Sequence, residues 1–146
     1  MTEQKMNQEV KVVILGLEKS TLNIVFRELY ESGMSKELRT DKDLSDWEEQ
    51  GVWLPTGTEN NFRQEIVRLS FLEQPVVFIG WGKRASNKLI VSGANNLVLT
   101  HCSPRDQLYG KQKFVGNKHF LLANEYLIAH MLKPIQWDYP QKNLKD

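Results

Sequence analysis

The sequence predicts an α/β fold with a small central parallel sheet of about four strands, flanked by helices. Short apolar runs rich in β-branched residues alternate along the chain with amphipathic segments at helical spacing. Strands that alternate with helices are typical of a parallel sheet, because each return to the same sheet edge needs a crossover connection. The length of 146 residues suits a single domain of this kind.

Four apolar runs predict the strands. The run over residues 10–16 is almost continuously β-branched, as expected for a central strand covered on both faces. The remaining runs predict strands over residues 51–54, 76–80 and 96–100. The last run leads into His101 and a Ser-Pro turn, so His101 is expected at the carboxyl end of a strand, where α/β sheets bind ligands.

Apolar residues at helical spacing predict the helices. The first helix is expected up to Gly33, and the last is expected to stop before Pro134. Shorter helices are predicted over residues 45–50, from residue 61, and over residues 85–91. The residues expected to face the core from the first and last helices are Leu22, Val25, Phe26, Leu29, Tyr30, Phe120, Asn124, Leu127, Ile128 and Met131.

Composition limits the class of protein. Residues 10–137 are expected to form one domain, between a flexible N-terminus (1–9) and a flexible tail (138–146). Cys102 is the single cysteine, which excludes an intramolecular disulfide and suits a reducing compartment. Neither a signal peptide nor a membrane-length apolar run is apparent, so an intracellular protein, cytoplasmic or nuclear, is expected without membrane binding. No His and Cys spacing indicates a metal site, and no cofactor is expected.

Charge is distributed unevenly along the chain. Residues 83–119 carry seven basic side chains and one acid, whereas residues 28–50 carry eight acids and three basic side chains. The basic segment is typical of phosphate contact in DNA binding, and a solvated surface is the plainer interpretation. The acidic segment is a candidate docking surface for a protein. DNA and a replication or repair protein are therefore both candidate partners.

Five short motifs are informative in combination. They are Leu-Ser-Asp-Trp-Glu-Glu-Gln-Gly-Val at 44–52, Val-Val-Phe-Ile-Gly-Trp-Gly at 76–82, His-Cys-Ser-Pro-Arg-Asp at 101–106, Gly-Asn-Lys-His-Phe at 116–120 with Asn124, and Lys-Pro-Ile-Gln-Trp at 133–137. In this order they resemble the family-1 uracil-DNA glycosylases. The resemblance implies the α/β fold of that family over about residues 10–137.

The resemblance also implies roles for individual residues. Glu18 occupies the position of the family carboxylate that positions the attacking water, and His101 that of the histidine that stabilises negative charge on the departing uracil. Ser103 and Pro104 match a loop that grips the DNA backbone. The basic residues expected to contact DNA together with this loop are Lys83, Arg84, Arg105, Lys111, Lys113 and Lys118.

Several departures from the family pattern affect the part of the site that holds the base. Glu18 is one methylene longer than the family aspartate, and neither the Pro-Tyr-His that should follow it nor the next loop, with its uracil-stacking aromatic, is present. Pro55 stands where an asparagine that reads the uracil edge is expected, and Arg105 replaces an apolar wedge. A flipped base is held by stacking and edge hydrogen bonds, so this pattern predicts weak base binding.

These observations lead to three hypotheses. The first is a catalytically silent, degenerate glycosylase-like module that binds the DNA backbone or a replication or repair protein, with a viral link by analogy. The second is residual uracil-DNA glycosylase activity through Glu18 and His101. The third is a protein-only scaffold or an inhibitor of DNA metabolism. In plainer interpretations Glu18 is a turn residue, His101 is a hydrogen-bonded loop residue, and Cys102 is a half-buried filler.

Overall fold

A parallel sheet of four strands organises the computed structural model, which describes residues 10–55, 61–89, 96–107 and 113–138. The strands are β1 (Val12–Leu15), β2 (Val52–Trp53), β3 (Val76–Trp81) and β4 (Asn96–His101). All neighbouring pairs are parallel, in the order β2-β1-β3-β4. The predicted α/β class is therefore confirmed. The predicted flexible segment 1–9 and residues 139–146 of the predicted tail lie outside the described residues.

Helices cover both faces of the sheet. In the described ranges they are α1 (Leu22–Glu31), α2 (Ser45–Glu48), α3 (Asn61–Ser70), α4 (Lys83–Asn87) and α5 (His119–Ala129), with 3₁₀ turns at Lys19–Thr21 and Pro104–Gln107. Helix α4 begins two residues before its predicted start, and residues 90 and 91 of the predicted segment lie outside the described residues. None of the helices described combines the length and apolar character needed to cross a bilayer.

The sheet separates two apolar layers. Successive residues of β1 pack on opposite faces, Ile14 in the layer with α1 and α5, and Val13 in the layer with α3 and α4. Strands β1 and β3 are buried along their whole length, which explains their continuous apolar runs. Trp47, Trp81 and Trp137 lie fully inside the first layer. These tryptophans therefore belong to the core and do not offer free faces for stacking on bases.

Some residues predicted to face the core are exposed. Met131 is 94% exposed and Ile128 58%. Helix α5 ends at Ala129, and Met131 then adopts a left-handed conformation with φ of 64° that cannot continue it. Tyr30, near the end of α1, is also half exposed. The apolar period therefore extends past the point at which each helix stops contacting the core.

A buried arginine ties the acidic segment to the end of the domain. Arg39 is 1% exposed, and its guanidinium donates two hydrogen bonds to the Asp46 carboxylate at 2.8 and 2.9 Å. It also donates to the carbonyl oxygens of Trp137 and Asp138 at 3.2 and 3.0 Å, and lies over the ring of Phe26. Asp46 is thus committed to an internal ion pair and is removed from the predicted acidic docking surface.

Candidate active site

The carboxyl ends of β1, β3 and β4 lie side by side. Leu15 of β1 pairs with Gly80 of β3, and Gly80 pairs with Thr100 of β4. Neighbouring strands are about 4.8 Å apart, so the ends of β1 and β4 are separated by roughly 10 Å. Glu18 follows β1 and His101 ends β4, so both predicted catalytic residues are at this sheet edge.

A glycine allows the chain to leave β1 close against β3. Gly16 has φ of 91°, and a Cβ there would lie 2.1 Å from the carbonyl oxygen of Trp81, so only glycine fits. The Glu18 carbonyl oxygen then accepts hydrogen bonds from the backbone N–H and the hydroxyl of Thr21 at 3.0 and 2.9 Å. These bonds hold the Glu18 backbone at the start of the 3₁₀ turn, while its side chain stays half exposed.

Glu18 lines a cavity of about 910 Å³ at this edge. Cations outnumber carboxylates in its wall, and Pro55, which replaces the expected asparagine, also lines it. The charged residues of the wall are Glu18, Lys19, Lys83, Arg84, Lys88, Arg105 and Asp106. Such a wall attracts anions, and phosphate oxygens are suitable acceptors for its lysine and arginine side chains.

The segment after β4 brings Arg105 to Glu18. Ser103 Oγ accepts a hydrogen bond from the Arg105 N–H at 3.2 Å, and the Ser103 carbonyl oxygen accepts one from the Asp106 N–H at 2.9 Å. Pro104 is buried and begins the 3₁₀ turn. From this turn Arg105 Nε lies 3.5 Å from Glu18 Oε1. The predicted DNA-gripping loop and the predicted carboxylate are therefore in contact.

His101 lies beside the cavity and is not among the described residues of its wall. Its carbonyl oxygen accepts a hydrogen bond from the Gly82 N–H at 2.8 Å. Its ring packs edge-on against Phe114 and His119, with centroid distances of 6.2 and 5.8 Å. Burial lowers the pKa of His101 below its usual 6.5, so the imidazole is neutral at pH 7.

The neighbouring thiol indicates which ring nitrogen of His101 carries the proton. Cys102 Sγ lies 3.3 Å from His101 Nδ1. Burial, followed by the nearby Asp106, raises the pKa of the Cys102 thiol, which therefore stays protonated. An imidazole nitrogen is a stronger acceptor than a neutral sulfur, so we assign the thiol as donor and place the His101 proton on Nε2.

A second histidine is buried behind His101. Trp81 Nε1 donates a hydrogen bond of 2.9 Å to His119 Nδ1. Burial first, and the nearby His101 second, lower the pKa of His119 to about 4. His119 is thus a neutral acceptor, and its hydrogen bond from Trp81 links the start of α5 to the end of β3. The end of β4 lies beside this link, because Trp81 pairs with His101.

Acid is expected to destabilise the fold through His119. Between pH 6.5 and about 4 the imidazole is protonated in the unfolded chain and neutral in the folded one. The unfolded state then binds more protons, so stability falls as the pH falls through this window. The expected loss is about 3 kcal/mol in the free energy of unfolding. Urea unfolding at a series of pH values measures it.

The variant His119→Gln isolates this effect, because it keeps a polar acceptor for Trp81 and does not titrate. Its stability should depend less on pH between 4 and 6.5 than that of the wild type. Glu28 acts in the opposite sense. Burial raises the pKa of its carboxyl group, so the free energy of unfolding falls as the pH rises and this group is deprotonated. Equal pH dependence in the two proteins would contradict the assignment to His119.

The buried carboxylate of Glu28 anchors the loop before α5. It accepts hydrogen bonds from the N–H groups of Gly116 and Lys118 at 2.5 and 3.0 Å. Burial raises its pKa although these bonds oppose the shift. The sequence interpretation missed this role. The signal was its position three residues after Val25 and one before Leu29, within the buried stripe of α1.

The structure brings some of the predicted site residues together and separates others. Those in the cavity wall are Glu18, Lys83, Arg84, Ser103 and Arg105. Those described elsewhere are His101, Pro104, Lys113 and Lys118, and Lys111 lies outside the described residues. Lys19 and Lys88 line the wall but were not among the individually predicted site residues, although Lys88 belongs to the basic segment 83–119 and lies one helical turn after Arg84. Across the described ranges, no three His, Cys, Asp or Glu side chains are grouped to hold a metal ion.

Comparison with known proteins assigns this chain to a family. No protein-family model matches it. A uracil-DNA glycosylase of Ureaplasma parvum is 35% identical over 117 residues, covering 68% of this chain and 54% of the relative. A uracil-DNA glycosylase of Amoebophilus asiaticus is 34% identical over 130 residues, covering 77% and 58%. The chain belongs to the uracil-DNA glycosylase superfamily.

Solved structures have the same fold as this superfamily member. Mimivirus uracil-DNA glycosylase matches with a TM-score of 0.77 at 19% identity, over 94% of this chain and 72% of that chain. A variant of mimivirus UNG in complex with UGI matches with a TM-score of 0.76 at 20% identity, over 94% and 74%. The chain spans about half the length of the curated relatives it matches. Its description as a degenerate member stays a prediction.

The relatives contradict our first hypothesis, that of a catalytically silent binding module. Relatives at 29–35% identity are named uracil-DNA glycosylase, which favours the alternative of glycosylase activity. The first hypothesis gave most weight to the motifs that are absent, which the resemblance assigns to base binding. Glu18 and His101, which the resemblance assigns to the bond-breaking step, are both present. Glu18 and His101 lie at the same sheet edge although 82 residues lie between them in the chain.

Proposed function

We propose that this chain is a uracil-DNA glycosylase, which hydrolyses the N-glycosidic bond between uracil and deoxyribose in DNA. One observation carries the proposal: Glu18 lies at the same sheet edge as His101 and in the wall of a basic cavity. The names of relatives at 34–35% identity support the reaction class.

In the proposed reaction Glu18 acts on the attacking water. The bond between C1′ of the sugar and the uracil nitrogen breaks, and its electron pair stays on uracil. The water oxygen bonds to C1′ while the Glu18 carboxylate accepts the water proton. The same carboxylate stabilises the positive charge that develops on the sugar as the bond breaks.

His101 stabilises the negative charge that the electron pair places on uracil. Its imidazole is neutral because burial lowers the pKa, and Nε2 carries the proton when Cys102 donates to Nδ1. A preorganised N–H donor at a developing anion acts without a full proton transfer. The departing uracil takes its proton from solvent afterwards. His101 is expected to contribute to kcat more than to substrate binding.

The basic side chains of the cavity wall are proposed to bind the DNA backbone. Lys83 and Arg84 lie in the first turn of α4, and Arg105 faces them from the segment after β4. Phosphate contacts of this kind position DNA without reading its sequence. The acidic segment offers less support for a protein partner, because Glu28 and Asp46 are engaged inside the fold.

Single-stranded DNA is the proposed preferred substrate. Pro55 in the cavity wall supplies no side-chain hydrogen bond to a uracil edge. Binding energy to offset base flipping is therefore limited, and a single strand requires the least of it.

Excision from a single-stranded oligonucleotide with one uracil tests the proposal. Wild-type protein should produce an abasic site there, and none in the matched oligonucleotide with thymine. The variant His101→Ala should lower kcat by about 10²–10³-fold, the range for removing one donor to a developing anion. Absence of abasic sites with wild-type protein in molar excess over DNA would overturn the proposed function.

Binding to uracil-free DNA tests the basic wall separately. The double variant Lys83→Ala/Arg84→Ala should weaken binding and reduce the slope of log affinity against log salt by about one to two, because each phosphate contact on a single strand contributes roughly 0.7. Fluorescence anisotropy at several salt concentrations measures both. An unchanged slope would remove these two residues from the DNA-binding surface. Lys113→Ala is the comparison variant, and it should change the salt slope less, since Lys113 lies outside the described wall.

A further inference from the structure

Two residues at which this chain departs from the uracil-DNA glycosylase pattern, Glu18 and Arg105, are in contact. Glu18 stands where the family has a shorter carboxylate, and Arg105 stands where the family has an apolar wedge. Taken singly, each substitution is a departure from the family site. In the structure Arg105 Nε lies 3.5 Å from Glu18 Oε1, both residues line the cavity, and both side chains are at least half exposed.

We propose that Arg105 is a positioning residue for Glu18, an inference that rests on the proposed function. Glutamate has one more side-chain torsion than aspartate, so its carboxylate explores a larger volume and loses more entropy when it is held in place. Catalytic groups need to be held to within about 0.5 Å of their productive geometry. An arginine at 3.5 Å restricts the longer side chain and so compensates for its extra length.

Arg105 is suited to this role because its own backbone is held. Its N–H donates to Ser103 Oγ at 3.2 Å, and its 3₁₀ turn begins at the buried Pro104. Lys19 and Lys83 also line the cavity, yet in the described part of the chain the cation within ion-pair distance of Glu18 is Arg105. The pair therefore joins the loop after β1 to the segment after β4 across the end of β3.

Double-variant kinetics separates this role from simple phosphate binding. Excision from single-stranded uracil DNA is compared among the wild type, Arg105→Ala, Arg105→Lys, Glu18→Gln and the double variant Glu18→Gln/Arg105→Ala. Arg105→Ala should lower kcat by roughly tenfold to a hundredfold, separately from the rise in KM that the loss of a phosphate contact gives, and Arg105→Lys should recover part of kcat. In the Glu18→Gln background the loss of Arg105 should lower kcat no further. Additive losses in kcat, or an effect confined to KM, would overturn the inference.

A spectroscopic measurement tests the contact without relying on activity. The mobility of the Glu18 side chain is followed by ¹³C relaxation of its Cγ methylene in glutamate-labelled protein. It should rise in Arg105→Ala and stay unchanged in Arg27→Ala, which breaks the exposed pair of Arg27 with Glu31, 3.8 Å apart. Unchanged mobility in Arg105→Ala would overturn this inference even in an active protein. If Glu18 mobility rises in Arg105→Ala but the wild-type protein excises no uracil, the contact is supported and the proposed function is overturned instead.

Discussion

Glu18→Gln should lower kcat for uracil excision by about 10²–10⁴-fold, the range typical of a lost general base. The amide has the same shape as the carboxylate but cannot accept the proton of the attacking water. It also lacks the negative charge that stabilises the cationic sugar. Affinity for DNA should not fall, because the substitution removes a negative charge from a wall whose cations are proposed to bind phosphate. Single-turnover excision from single-stranded uracil DNA measures the rate.

Glu31→Gln is the matched control for this variant. Glu31 is also a half-exposed carboxylate paired with an arginine, but it lies at the end of α1 and is not part of the described cavity wall. Its substitution should leave the excision rate unchanged. Excision by Glu18→Gln at the wild-type rate would remove Glu18 from the mechanism.

Arg39→Met should lower the free energy of unfolding by about 3–5 kcal/mol, the cost of breaking one side of a buried ion pair. The methionine keeps most of the apolar stem that packs near Phe26 and Trp47. It removes the Arg39 donor from the Asp46 carboxylate and from the carbonyl oxygens of Trp137 and Asp138, although the Trp137 oxygen still accepts from Trp47 Nε1. Urea unfolding at pH 7 measures the loss.

Arg27→Met is the control for the buried arginine. Arg27 is half exposed and pairs with Glu31 across one turn of α1, so its loss should change stability by less than about 0.5 kcal/mol. Similar losses in the two variants would contradict the assignment of Arg39 as the buried link between the acidic segment and the end of the domain.

The order of strands and helices could be predicted because it depends on local patterns. The β-branched run that contains β1 and the run that became β3 are buried on both faces, as their composition indicates. Element ends were less predictable. Met131 continues the apolar period of α5 but lies beyond its end, since the helix stops where the chain turns left-handed.

The sequence by itself determined the parallel α/β class and pointed to Glu18 and His101 as the groups for chemistry. The fold class rests on periodicity, which is a property of neighbouring residues, whereas the roles expected of Glu18 and His101 rest on the resemblance of the motifs to the uracil-DNA glycosylases. Tertiary structure alone decided that Arg105 contacts Glu18 and that His119 and Glu28 are buried. It also decided that Arg39 links Asp46 to the carbonyl oxygens of Trp137 and Asp138. Electrostatic coupling and desolvation depend on distances between residues far apart in the chain, and no local pattern encodes those distances.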